Sequence, residues 1–282
     1  MRFSLVAIGA VAMMASGVQA AITWNGGTGD WNHSTNWTPQ QVPQASDEVI
    51  VNGGSITYWS GVSGGFTIRD GGSRTFNGGT LTQSGNHYAD IGYSSSGGTG
   101  GGVLTINNGA VVDLNGSGSL RVGNAAGGQA GVVNVNAGGV FDLGGSSWLQ
   151  LFETATFNSA GTTTGIGSVD LQGGIINVTG GEFTVNSVNF EPAGAKGNKI
   201  NISGGTFSVN SVSAMQLGWG DRYFNFTAGS TGTLVFPAYD VATVTGYVGS
   251  GYIRLEGVAS PDSFVVSAYG ANGSQVSLVP EP

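Results

Sequence analysis

The sequence predicts an all-β fold: a single-stranded parallel β-helix, or β-solenoid, with an N-terminal cap and closing strands at the C-terminal end. Three observations predict it. The chain repeats itself, "NVTGGEFTVNSV" at 177–188 returning as "NISGGTFSVNSV" at 201–212. Each repeat alternates apolar and polar residues on both sides of a Gly-containing corner, the mark of strands with one buried face. No stretch is dominated by Ala, Leu, Glu and Lys, whereas β-forming residues between Gly and Asn recur throughout.

Composition sets the limits. Of 282 residues 53 are Gly, 39% are hydrophobic and 9% are charged. Disordered chains pair low hydrophobicity with high charge, and this one does not. Formal net charge is -8, or -9 once a leader carrying Arg2 is removed. Such an acidic surface repels phosphate backbones and anionic lipid, so nucleic acid is not an expected partner. The absence of Cys excludes disulfides, thiolate catalysis and zinc–thiolate sites together.

Taken in order, residues 1–20 read as a signal peptide. Arg2 gives a positive start, "LVAIGAVAMM" an apolar run and "VQA" a small-residue cleavage site, with Ala21 as mature N-terminus. The run is shorter than the ~20 residues a spanning helix needs. Residues 21–47 form a Trp-rich cap and 48–245 the solenoid. Within it Gly78, Leu81 and Ile91 match Gly109, Val112 and Val122 at an offset of 31. Leu104, Ile106, Val112, Leu114, Leu120 and Val122 match Val133, Val135, Phe141, Leu143, Leu149 and Leu151 at 29.

Phe152 to Leu171 does not align and reads as an irregular or inserted turn. After it, Ile176, Val178, Phe183, Val185 and Val188 match Ile200, Ile202, Phe207, Val209 and Val212 at 24. A further 24 residues on, Ile200, Asn201 and Ile202 match Phe224, Asn225 and Phe226. Propeller blades need ~40 residues or more, and a sandwich needs no constant offset. Roughly seven rungs are expected at these periods, with the right-handed crossover that parallel connections favour. Residues 246–278 keep strand-like alternation without the Gly spacing and are assigned to closing strands.

Trp24, Trp31 and Trp37 have three readings. As a cap, the rings cover the first rung. As a ligand-binding platform, exposed indoles stack on sugars. As a Ca²⁺ loop, Asp30, Asn25 and Asn32 supply hard oxygens, although the spacing matches no EF-hand.

Two segments resemble known families. W-x-G-G-x-G-x-W at 24–31, then Asn36-Trp37 and "VPQASDEVIV", is similar to the opening of large secreted β-solenoid proteins such as autotransporter passengers. There it marks the start of a β-helix, Pro43 and Asp47 leading into the first strand. Val279, Pro280, Glu281 and Pro282 resemble the start of the PEP-CTERM sorting signal of Gram-negative envelope proteins. That resemblance implies processing by an exosortase and placement at the cell surface. In the family a membrane-spanning helix and a basic cluster follow, so the signal here is read as truncated after V-P-E-P.

Enzyme chemistry has one set of candidates. Many β-solenoids cleave polysaccharides, and Asp113 and Asp142 share a rung position, with Arg121 outward on the same rungs. Glycoside hydrolysis needs two carboxylates ~5–9.5 Å apart in a cleft. His33 and His87 carry no neighbouring motif. "SSSGGTGGG" at 94–102 lacks the G-K-[ST] of a phosphate loop. N-x-[ST] triplets reflect the abundance of Asn, Ser and Thr. No catalytic set, metal or cofactor is assigned. The expected function is that of a secreted, non-catalytic structural or adhesive protein of the bacterial cell surface or matrix, contacting exopolysaccharide. The alternatives are a polysaccharide lyase or hydrolase using Asp113, Asp142 and Arg121, and a carbohydrate-binding module using the three tryptophans.

Overall fold

The computed structural model describes residues 21–44, 47–51, 54–59, 66–84, 87–93, 101–114, 117–124, 130–191, 198–213 and 222–280. The proposed leader at 1–20 lies outside them. Each coil of the chain lays strands on three walls around one apolar interior. The first wall runs from Ile22–Trp24 through Glu48–Val51, Ser73–Phe76, Gly102–Ile106, Gly131–Val135 and Ala155–Ser159. The long strands Ile175–Phe190 and Lys199–Val212, then Tyr223–Phe226 and Ile253–Leu255, continue it. Nine parallel pairings join these ten strands.

Register is strict wherever the alternation is. Val178 pairs with Ile202, and Ile202 with Phe226. Leu104 pairs with Val133, and Leu120 with Leu149, as the 29-residue offset requires. Since side chains alternate along a strand, a pairing without slip stacks inward residue on inward residue at ~4.8 Å per coil. The inward columns are fully buried. Phe141, Phe157, Phe183, Phe207, Phe224 and Phe236 form a chain of rings with centroids 5.1 to 5.9 Å apart. Corners need Gly where coils approach closely. Gly181 and Gly205 have φ of +59° and +66°, and a Cβ on Gly181 would strike the Gly161 carbonyl.

Outward columns stack like on like as well. Asn134, Asn158, Asn177, Asn201 and Asn225 form a ladder in which each amide Nδ2 donates to the Oδ1 one coil earlier, at 2.8–2.9 Å. A second ladder joins Asn77, Asn107 and Asn136 at 2.6 Å. Each such bond adds about 0.5–1.5 kcal/mol and pins the register along the axis.

Three expectations are corrected. Ten rungs occupy the first wall rather than roughly seven. Phe152 to Leu171 is not irregular: Ala155–Ser159 and Thr162–Gln172 pair in parallel with neighbouring coils. The offset falls from 24 residues (Val133 to Phe157) to 19 (Phe157 to Ile176), so alignment at one period passes over this coil. Lastly, the segment 21–47 is already a coil, because Ile22–Trp24 and Thr28–Asp30 pair in parallel with Glu48–Val51 and Ser55–Trp59.

Both ends turn antiparallel, which occupies edges that would otherwise template another chain. Trp37–Thr38 pairs antiparallel with Ile22–Trp24 at the start. At the far end Thr233–Phe236 pairs antiparallel with Gly273–Leu278, which pairs antiparallel with Phe264–Tyr269. A helix, Val241–Gly249, also lies there, across the boundary expected at 245. The Asp240 carboxylate accepts from Thr243 N at 2.8 Å and caps it, and Val244 and Val248 bury its inner side. The Tyr239 hydroxyl accepts from Val212 N at 3.1 Å, satisfying the last rung of the third wall.

Two polar residues lie in the interior near the start. Arg74 takes an inward position between Val49 and Leu104 and is 2% exposed. Its guanidinium donates to the carbonyls of Asp47 and Gln44 at 2.5 Å and of Ser73 at 3.0 Å, tying the 39–47 connection to the core. Gln83 is also 2% exposed, and neither amide atom has a hydrogen-bond partner among the described residues. Such a group keeps its full desolvation cost, about 1–3 kcal/mol. Gln83→Met, similar in volume and free of that cost, is therefore expected to raise stability by about 1–2 kcal/mol in urea denaturation.

Candidate functional site

The tryptophans singled out by sequence are not a ligand platform. Trp24, Trp31 and Trp37 are 4%, 4% and 0% exposed. Trp37 lies edge-on to both others at 4.9 and 4.6 Å, and its Nε1 donates to the Trp31 carbonyl at 2.7 Å. The rings close the N-terminal mouth of the tube, and no indole face is left for a sugar. The oxygens considered for Ca²⁺ serve the same loop. Asp30 Oδ1 accepts from Asn32 N at 2.8 Å, and the Asn25 amide links the Thr35 carbonyl to the Thr38 hydroxyl. His33 is exposed, and the His87 side chain lies outside the described residues.

The proposed catalytic residues separate onto two walls. Asp113 and Asp142 pair in register on the second wall, where Gly79–Ser84, Ala110–Asp113 and the start of Val140–Phe152 stack, as their spacing implies. Asp142 Oδ1 accepts from Gly144 N at 2.9 Å and lies over Gly165, where a Cβ would collide with it. Arg121 belongs to Ser117–Val122 on the third wall, where its stacked neighbours are Asp90 and Gln150. The structure brings the two aspartates together and leaves the arginine with a different partner.

That partner belongs to an organised polar column on the third wall. The third wall is built from Phe66–Ile68, His87–Ile91, Ser117–Val122 and the ends of the long strands Val140–Phe152, Thr162–Gln172 and Ile175–Phe190. One outward column holds Thr67, Asp90, Arg121, Gln150, Asp170 and Asn189. The neighbouring outward column holds Tyr88, Ser119, Trp148, Ser168 and Ser187. Arg121 meets Asp90 through two bonds, Nε to Oδ1 at 2.6 Å and a terminal nitrogen to Oδ2 at 2.8 Å. Its guanidinium also lies between the Tyr88 and Tyr93 rings, 4.3 and 4.1 Å from their centroids. Burial on its own lowers the pKa of this guanidinium. The hydrogen bond and charge of Asp90, with the two tyrosines, outweigh burial and hold it above the ordinary arginine value.

Two coils on, Asp170 is 6% exposed and accepts from Asn189 Nδ2 at 2.9 Å and from Ser168 at 3.3 Å. Beside this column Tyr88 and Trp148 are 54% and 52% exposed. Sequence reading placed Arg121 outward but missed Tyr88, Asp90, Trp148 and Asp170. The 31- and 29-residue offsets that stack Leu120 on its neighbours also stack Tyr88, Asp90 and Trp148, so their signal lay in the polar positions of the same repeats, whereas Asp170 lies in the coil that those offsets pass over.

At the C-terminus, Val279 N donates to the Ser263 carbonyl at 2.9 Å and the Val279 side chain is 45% exposed. Glu281 and Pro282 lie outside the described residues. No helix among the described residues is long and apolar enough to cross a membrane. Comparisons with protein-family models, curated proteins and solved structures find no match.

Arg121→Lys keeps the charge but loses the paired hydrogen bonds and the planar stack between two tyrosines. It is expected to lower stability by about 1–2 kcal/mol, read as a shift of the urea midpoint at unchanged slope.

Proposed function

We propose that the protein is a secreted, non-catalytic structural or adhesive component of a bacterial cell surface or extracellular matrix, contacting polysaccharide along its walls. The observation that carries this reading is the closed stack itself. Ten coils among the described residues share one interior, both ends are turned antiparallel, and outward columns such as Asn134 to Asn225 are neutral amides satisfied by one another. Such an object is stiff and offers a long face of small polar groups. The signal-peptide pattern at 1–20 and the V-P-E-P motif at 279–282 support export and exosortase-type processing as part of the same proposal. The similarity of 24–51 to the opening of autotransporter passengers supports it too.

The lyase or hydrolase alternative needs acids and a base around one substrate. Asp113 and Asp142 on one wall and Arg121, committed to Asp90, on another do not form that set. To test the proposal, the full chain is expressed in a Gram-negative host and the exported protein is incubated with a panel of polysaccharides. The expected result is export with an N-terminus at Ala21 and co-sedimentation with polysaccharide, with no new reducing ends or unsaturated products. Product release abolished by Asp142→Ala, or retention of intact Met1 in the cytoplasm, would overturn it.

A further inference from the structure

We infer that the third wall carries a binding line for neutral polysaccharide, with Tyr88 and Trp148 as stacking platforms and the Asp90–Arg121–Gln150 column as its hydroxyl-binding flank. The inference rests on the polysaccharide-contact reading above and gives it a place and a ligand class.

The aromatic rings carry the first part of the argument. The phenylalanines of the core are turned into the tube and fully buried. Tyr88 and Trp148 occupy outward positions and are half exposed, with Ser119 between them and Asp90, Arg121 and Gln150 in the next outward column. Packing of the interior does not require them there. They are also too isolated to form the contiguous apolar patch that marks a protein–protein interface. An apolar face bordered by hydroxyls and amides fits a pyranose, whose ring presents C–H groups on its faces and hydroxyls around its edge.

Spacing supplies the second part. Tyr88 pairs with Ser119 and Ser119 with Trp148, so the two rings belong to one column, two coils apart. At the strand spacing of a sheet that is ~10 Å, the scale of a disaccharide step along an extended glycan. A chain lying parallel to the solenoid axis therefore meets an aromatic ring at alternate sugars. The Tyr88 ring is also preorganised: the Arg121 guanidinium, fixed by Asp90, lies 4.3 Å from its centroid. Ordering is thus largely complete before a ligand arrives, which lowers the cost of binding.

Charge chooses the ligand class. Within the flank Arg121 is neutralised by Asp90, and buried Asp170, the next residue of the column, has amide and hydroxyl donors rather than a cation among the described residues. The line is therefore net negative, on a chain of net charge -8. A uronate or sulfated polymer meets repulsion there, whereas a neutral glycan finds donors and acceptors without a charge penalty. Neutral oligosaccharides are the occupants, and a second copy of this chain is the competing one.

The test uses the full exported protein, cello- and xylo-hexaose as neutral probes and hexagalacturonate as the anionic probe. Titration calorimetry and sedimentation velocity are the readouts. Expected are binding to at least one neutral probe, none to the anionic one, and a tenfold or greater loss of affinity in Trp148→Ala and in Tyr88→Ala. Trp148→Phe is expected to retain part of the affinity, and circular dichroism checks that each variant is folded. Neutral binding unchanged in Trp148→Ala and Tyr88→Ala would overturn the line while leaving polysaccharide contact standing. Binding to no glycan would overturn both. Preference for hexagalacturonate, or a dimer that dissociates in Trp148→Ala without glycan, would also overturn the inference.

Discussion

In-register parallel stacking of successive coils is the constraint on which the rest of this structure depends. Each strand leaves its peptide groups to the coils on either side, and side-chain period two fixes which residues face inward. A slip of one residue would turn Val178, Ile202 and Phe226 out to water together with their neighbours. The apolar columns therefore enforce the register, and the register sustains the columns. It also creates the problem of the ends, since a stack is open wherever it stops. Trp37–Thr38 at one end and Gly273–Leu278 at the other solve it by pairing antiparallel. The Trp37 indole and the Tyr239 hydroxyl fill or satisfy what remains.

Stacking like on like suits some side chains and penalises others. Amides gain from it, since an Asn is donor to one neighbour and acceptor to the next, as along Asn134 to Asn225. Carboxylates do not, because identical charges one coil apart repel. The third wall avoids this by placing Arg121 and Gln150 between Asp90 and Asp170. Asp113 over Asp142 is the exception. There the Asp142 carboxylate accepts from the Gly144 amide and lies over Gly165.

Much of the architecture was legible in the residues. Constant offsets of 24, 29 and 31 predicted the register of Phe183 on Phe207, Leu104 on Val133 and Leu81 on Val112. What failed to read was whatever breaks constancy. The 19-residue step from Phe157 to Ile176 removes loop residues but no strand, and so hid one coil. The first coil was hidden because large rings replace the usual aliphatic pattern. The helix Val241–Gly249 lacks the long formers of a free-standing helix and is held by its Asp240 cap and by Val244 and Val248 against the closing strands. The burial of Trp24, Trp31 and Trp37 failed to read for a related reason: density of tryptophan drew attention to 24–37, whereas exposure is decided by strand parity. Trp148 is outward because it lies one residue before inward Leu149.

The stacked register can be tested directly because the natural chain contains no cysteine. Asn177 and Asn201 pair in register and both face outward. At the ~4.8 Å separation of neighbouring strands, their Cα atoms fall within the 4.4–6.8 Å range a disulfide needs. The measurement is intramolecular cross-linking of the Asn177→Cys/Asn201→Cys double variant under mild oxidant, followed on non-reducing gels and by mass. Stacked coils predict near-complete closure of that pair and none for Asn177→Cys/Ile200→Cys, whose second thiol points into the tube. Equal cross-linking of both pairs, or closure of neither, would contradict the stack.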